Sequence, residues 1–234
     1  PRWASLNAAM KHADADIYYQ NCAEEVTGQV AFWCKVHDKK FMYSVASDSD
    51  YEYKSVNVAK WYERIFYRYG VRNADRIIVQ TQKQKNLLAD NYDRSSVVLP
   101  MPCIGGEQSS GNGQFSEGRE GVLWIGRICQ QKRPDLLLDV ARKCPDLKFD
   151  LVGPFGNDEY AKDIFAKAKE LFNITIHGAI KPDEVSGFYR KAEVLCCTSD
   201  AEGFPNSFLE AWSFGLPVVS TFDPDNLIRD KKLG

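Results

Sequence analysis

At 234 residues the chain can bury roughly 70% or more of the surface that its unfolded form exposes, enough for one large or two small hydrophobic cores without disulfide or metal staples. Its 30 Lys and Arg residues are balanced by 32 Asp and Glu, giving a formal net charge of −2 with the two signs interspersed, which argues against a general nucleic-acid binder. Neither an 18-residue apolar span nor a charged-then-apolar signal pattern occurs, so no segment is expected to cross a membrane, and peripheral membrane contact stays open.

In chain order, a helix-like pattern from Pro1 is followed by strand candidates at 16–20 (DIYYQ), 40–46 (KFMYSVA), 75–81 (DRIIVQT) and 96–99. Apolar residues recur at helical spacing around 29–37, 56–69 and 82–92. This alternation predicts a parallel sheet flanked by helices over residues 1–102. Residues 103–118 contain a Gly, Ser, Asn and Gln run (GGEQSSGNGQFSEG), which reads as an interdomain linker.

A second alternation fills 119–234, with strands near 121–125, 147–152, 174–177, 193–197 and 217–220 and helices near 134–143, 158–172, 182–190 and 205–214. The sequence thus reads as α/β with two doubly wound, Rossmann-like domains. In such sheets ligands collect beyond the carboxyl ends of the strands, so the loops after Ile125, Val152, His177 and Cys197 should line one rim. The seven cysteines (22, 34, 103, 129, 144, 196 and 197) are odd in number and lack a Cys-x-x-Cys spacing, as expected of reduced, buried thiols in a cytoplasmic protein.

Residues 198–212 (TSDAEGFPNSFLEAW) set Glu202 and Glu210 on either side of a loop-to-helix junction. If the helix starts near Pro205, Asn206, Ser207, Glu210 and Ser213 share a polar face opposite Phe208 and Trp212. Amides at such a helix start attract phosphate, and a carboxylate one turn in can hold paired sugar hydroxyls; in its bland role, a Glu there merely complements the helix dipole. Arg127 and Lys132 lie in the run GRICQQKRP (126–134) directly after a strand, where a guanidinium and an ammonium can bracket phosphate oxygens. Gly153 ends another strand, where a missing side chain would let backbone approach a ligand or simply form a turn. His177 is read as a strand residue, and no Gly-x-Gly-x-x-Gly fingerprint supports a dinucleotide site.

The segment EGFPNSFLEAW (202–212), followed by SFGLPVVST (213–221), resembles the signature of retaining family 4 glycosyltransferases of the GT-B fold, in which two Glu residues separated by seven positions contact the donor. The resemblance implies a fragment truncated at both termini: a partial acceptor-side domain (1–102), the linker (103–118) and an incomplete nucleotide-sugar domain (119–234). It assigns Glu202 to the transferred sugar, Glu210 to the ribose, and Gly203, Phe204, Pro205, Asn206 and Ser207 to the diphosphate and sugar. Gly126, Arg127 and Lys132 would form the diphosphate clamp, with Arg127, Lys132 and Glu202 the catalytic candidates, and Ala179 and Ile180 would lie in the base-contacting segment.

On the acceptor side Ser47, followed by Asp48, stands where many members carry His. Either this turn treats the acceptor differently, or the donor phosphate serves as base. The implied partners are a nucleotide-diphosphate sugar as substrate and a glycan, lipid or other hydroxyl acceptor. No cofactor or metal is implied by the resemblance, and the Asp-x-Asp spacing Asp48-Ser49-Asp50 lies far from the donor loops in sequence. A non-catalytic sugar-nucleotide-binding module and a sugar-nucleotide epimerase remain as alternatives.

Overall fold

The computed structural model describes residues 2–51, 60–102, 118–200 and 202–234, so nearly all of the expected linker lies outside the described residues. The chain divides into two compact units, one of residues 1–101 with 202–204 and the other of 102–201 with 205–234.

The first unit runs α1 (Arg2–Ala13), β1 (Ile17–Asn21), α2 (Val26–Val36), β2 (Lys40–Ser44), a 3-10 turn (Asp48–Tyr51), α3 (Trp61–Asn73), β3 (Arg76–Val79), α4 (Gln82–Tyr92) and β4 (Val97–Val98). Its strands form one parallel sheet in the order β1-β2-β3-β4. Phe41, Tyr43, Ile77 and Val79 bury against Val30, Trp33, Val71 and Leu88 of the helices. Thr81 caps α4 by accepting a hydrogen bond from the Gln84 amide, and Asp93 ends it in the left-handed region at φ 52°.

The second unit runs β5 (Val122–Ile125), α5 (Pro134–Lys143), β6 (Phe149–Val152), α6 (Glu159–Lys169), β7 (Ile174–Gly178), α7 (Pro182–Lys191), β8 (Val194–Cys197), α8 (Asn206–Ser213), β9 (Val218–Ser220) and a short α9 (Leu227–Lys231). These strands are parallel in the order β7-β6-β5-β8-β9. The period-two alternation of β5 divides the core into two layers. Val122 and Trp124 pack with Leu137, Leu138 and Ala141 of α5, whereas Leu123 packs with Tyr189 of α7 and with Phe208 and Ala211 of α8. Pro134 and Pro182 occupy first-turn positions, and Asp158 caps α6 by accepting from the Ala161 amide.

The expected strands appear within about two residues of their sequence ranges. Helix α6 stops at Lys169, short of the expected 172, and α9 was not expected at all. Pro205 caps α8 in extended conformation (φ −67°, ψ 124°) and the helix begins at Asn206. The six described cysteines are free thiols, but only Cys34 is buried and the other five are half-buried. Cys196 and Cys197 point into opposite core layers of β8, and burial raises the thiols of Cys34 and Cys196 to about 11.

Helices α2 and α3 cross so closely that a Cβ on Gly28 would lie 2.2 Å from the Phe66 carbonyl oxygen, and one on Gly70 would lie 2.5 Å from the Thr27 carbonyl carbon. Backbone cannot yield as a flexible side chain can. Gly28→Ala is therefore expected to destabilise the protein by about 1–3 kcal/mol or more through overpacking. Gly187, within α7, has no atom within 4 Å of its added Cβ, so Gly187→Ala should stabilise by roughly 0.5–1 kcal/mol through helix propensity. Urea unfolding of the two variants should show these opposite signs.

Candidate functional site

Strand β5 is bordered by β6 on one side and β8 on the other, and the chain leaves β5 and β8 for helices on opposite faces of the sheet. Their loops must diverge at the carboxyl ends, opening a crevice at the topological switch point. The candidate donor residues of this unit come largely from these two loops.

After β5, the Gly126 amide donates to the Val152 carbonyl (3.0 Å) and the Ile128 amide to the Pro154 carbonyl (3.0 Å), with the exposed Arg127 between two anchored residues. A 3-10 turn over Gln130–Lys132 follows. The stem of Lys132 runs beside Gly126, its Cδ 3.8 Å from where a Gly126 Cβ would sit. The neighbouring Arg133 is used differently. Held at φ 48°, ψ 48°, it bonds Asp135 through Nε and Nη2 and Asp200 through Nη1 (3.1 Å). Asp135 also accepts from the Tyr160 hydroxyl (2.6 Å). Burial would raise its carboxyl, but the bonds from Arg133 and Tyr160 outweigh that and hold it below the ordinary range.

Thr198, at the end of β8, joins the two loops. Its hydroxyl donates to the Lys132 carbonyl (2.8 Å) and accepts from the buried Trp124 indole N–H (2.9 Å). Beside it the Asp200 amide donates to the Gln131 carbonyl (2.9 Å). These contacts span 66 to 74 residues of sequence and were not expected from it.

Gly153 has φ 144°, and a Cβ there would lie 1.8 Å from the Gly126 carbonyl oxygen. The missing side chain thus makes room for the neighbouring loop's backbone rather than for a ligand. The Gly153 amide donates to Gly178, ahead of the exposed Ala179 and the half-buried Ile180. The β6–β7 register shifts after Leu151, and His177 Nε2 lies 2.6 Å from Asp150 Oδ1 with its ring edge-on to Phe188.

On α8 the expected two-sided helix is present. Phe208 and Ala211 are fully buried, Asn206 and Glu210 are exposed, and Ser207 lies between these extremes. The Phe208 amide donates to the Pro205 carbonyl (3.1 Å), and the aligned peptide dipoles give this end of the helix partial positive charge. Glu210 Oε2 accepts a 2.7 Å hydrogen bond from the buried Tyr189 hydroxyl, a contact that sequence reading missed.

Glu202, Gly203 and Phe204 group with the first unit. There the Phe204 amide donates to Gln80 Oε1 (2.8 Å) and the Asp48 amide to the Glu202 carbonyl (3.3 Å), while a Cβ on Gly203 would lie 2.2 Å from the Ala46 carbonyl oxygen. Glu202 is thereby brought beside the turn that carries Ser47 and Asp48. Asp48 bonds Lys83 (2.6 Å), and Asp50, 2% exposed, accepts from the amides of Ala46 (3.0 Å) and Ser47 (3.1 Å). Asp48 and Asp50 are thus both engaged by protein donors. Burial raises the Asp50 carboxyl despite its amide bonds. Among the described residues no group of three or more His, Cys, Asp and Glu could hold a metal ion.

A family model, Glycosyl transferases group 1, matches residues 107–226. The chain belongs to this family. Among curated members, an uncharacterized glycosyltransferase of Methanocaldococcus jannaschii is 31% identical over 159 residues, covering 68% of this chain and 43% of the relative. A D-inositol 3-phosphate glycosyltransferase of Mycobacterium sp. is 31% identical over 165 residues, covering 64% of this chain and 38% of the relative. The chain therefore spans about two fifths of the length of these group 1 relatives.

Among solved structures, S. aureus TarM matches with a TM-score of 0.73 at 17% identity over 99% of this chain and 48% of its own. The pneumococcal O-GlcNAc transferase GtfA, solved with UDP and GlcNAc, matches with a TM-score of 0.68 at 21% identity over 94% of this chain and 45% of its own. These likenesses establish the two-sheet GT-B fold.

Two outcomes follow for these residues. Thr198→Val should leave the Trp124 N–H and the Lys132 carbonyl without their partner and cost about 1–3 kcal/mol in urea unfolding; an unchanged midpoint would show that Thr198 does not brace the loops. The raised Asp50 carboxyl contributes stability below its unfolded value and loses it as pH rises through the folded value. Unfolding free energies measured between about pH 4 and 7 should therefore shift progressively in favour of Asp50→Asn relative to wild type, and a pH-independent difference would contradict this assignment.

Proposed function

We propose that this chain forms the nucleotide-sugar site of a retaining glycosyltransferase, which passes a sugar from a nucleoside-diphosphate donor to a hydroxyl of a glycan or lipid-linked acceptor. The observation that carries the reading is the pinned crevice between β5 and β8. There Arg127 and Lys132 stand on a loop whose carbonyls are bonded by the residues leading to α8.

Glycosyl transfer leaves negative charge on the departing diphosphate and positive charge at the anomeric carbon. Preorganised cations and helix-start amides stabilise the first without reorganising during the reaction. Arg127 supplies a planar, always-charged fork and Lys132 a point charge, with the first turn of α8 supplying amides. Glu210, one turn further, accepts from the ribose hydroxyls. Gly126 and Gly153 keep the floor of the crevice narrow, while Ala179 and Ile180 flank the base.

Glu202 accepts from hydroxyls of the transferred sugar or stabilises charge at its anomeric carbon. The family resemblance favours same-face substitution, in which the leaving phosphate takes the acceptor proton, and this suits a turn with Ser47 and Asp48 where many members carry His. Two protein cations serve the leaving group, so transfer is expected to proceed without a divalent metal. Because the resemblance puts Ser47 where many members carry His, a sugar-nucleotide-binding protein without transfer is the second reading. Nucleotide release that depends on an added acceptor separates the two.

UDP is the first probe, since GtfA was solved with it. Loss of one charge-assisted partner costs about 1.5–3 kcal/mol, so Arg127→Ala and Lys132→Ala should each weaken UDP binding roughly 10- to 100-fold by calorimetry. Wild-type affinity in both variants would remove the clamp from the account.

A further inference from the structure

Helix α7 carries Val185, Phe188 and Tyr189 into the core, a spacing that on its face reads as core alone. Tyr189 is 1% exposed and its ring stacks on Phe214 at 5.7 Å with the planes 6° apart. Phe214 is itself fixed, because its carbonyl accepts from Arg119 Nη2 (2.6 Å) at the end of α8. A buried phenol needs a partner for its hydroxyl, and here that partner is the Oε2 of an exposed carboxylate. An ionised carboxylate has only acceptor sites, so the phenol must be the donor. Burial, then the bond to Glu210 and its charge, raise the Tyr189 hydroxyl far above any physiological pH, so it stays protonated.

We infer that Tyr189 is a positioning residue for nucleotide recognition: by donating to Oε2 of Glu210 from inside the core, it fixes that side chain's rotamer and leaves Oε1 for a ribose hydroxyl of the donor. This rests on the proposed role of Glu210. A glutamate at a helix surface ordinarily samples several rotamers, and ordering it on binding opposes affinity. Tyr189 meets that cost during folding. The stacked ring and the carboxylate come from two helices on the same face of the sheet, so the bond also fixes α7 against α8 beneath the crevice.

The test compares wild type, Tyr189→Phe, Glu210→Ala and the double variant in calorimetric titrations with UDP and 2′-deoxy-UDP. Tyr189→Phe keeps the stacked ring. It is expected to weaken UDP binding about 2- to 10-fold, the range implied by freeing one long side chain, and to weaken 2′-deoxy-UDP much less. Glu210→Ala should erase the preference for UDP, and adding Tyr189→Phe to it should change nothing further. A general structural defect would weaken both nucleotides equally.

If Glu210→Ala loses the preference while Tyr189→Phe keeps it at the wild-type ratio, the inference fails and the ribose role of Glu210 stands. If Glu210→Ala retains the preference, the ribose role fails and the inference with it. A UDP-bound crystal structure of the wild-type protein decides the same point without a variant. Tyr189 bonded to Oε2 with the ribose on Oε1 supports the inference, and Glu210 turned away from Tyr189 overturns it.

Discussion

A single buried hydroxyl, that of Thr198, holds the rim of the second unit together. It faces the Trp124 indole on one side and the Lys132 carbonyl on the other, so the loop after β5 cannot move independently of the loop after β8. The indole lies in the core, so its N–H must be paired there. The Asp200 amide and the Arg133–Asp200 ion pair extend the same junction outward, where solvent screens the charges and the geometry matters more than the energy. In the proposed reading a diphosphate site needs cations held in place before the ligand arrives, and these bonds restrain the loop that carries Arg127 and Lys132.

Sheet topology explains why the junction lies where it does. A parallel sheet ordered β7-β6-β5-β8-β9 has one place where successive crossovers turn to opposite faces, between β5 and β8. Close backbone packing of Gly153 on Gly126 extends this arrangement to the loop after β6. Substituting Gly153 would disturb the strand ends, whereas a Cβ on Gly126 would meet the Trp124 ring first, at 3.3 Å. The same economy appears in the first unit, where Gly28 and Gly70 let α2 and α3 meet backbone to backbone and Asp50 ties the turn after β2 from within.

Much of this was legible in the sequence because strands such as RIIV (76–79) and VLWI (122–125) are short apolar runs bounded by turn residues, the mark of parallel strands buried on both faces. The polar and apolar faces of α8 followed from helical periodicity alone. What escaped was long-range. Tyr189 reads as one more apolar residue of α7, and nothing near it in sequence says that its hydroxyl reaches Glu210, 21 residues on. Arg133 and Lys132 look interchangeable in sequence, yet Arg133 is occupied by Asp135 and Asp200. Gly153 was recognised as special for backbone reasons, but only the packed structure shows that its neighbour is Gly126.

The central claim is that a nucleoside diphosphate lodges at the β5–β8 switch point. Hydrogen exchange measured by mass spectrometry, with and without saturating UDP on the intact protein, tests it without altering any residue. The account predicts that slowed exchange will concentrate in amides 126–133 and in the first turn of α8, 206–210. Slowing confined to the loops after β1, β2, β3 and β4, with 126–133 and 206–210 unchanged, would contradict it.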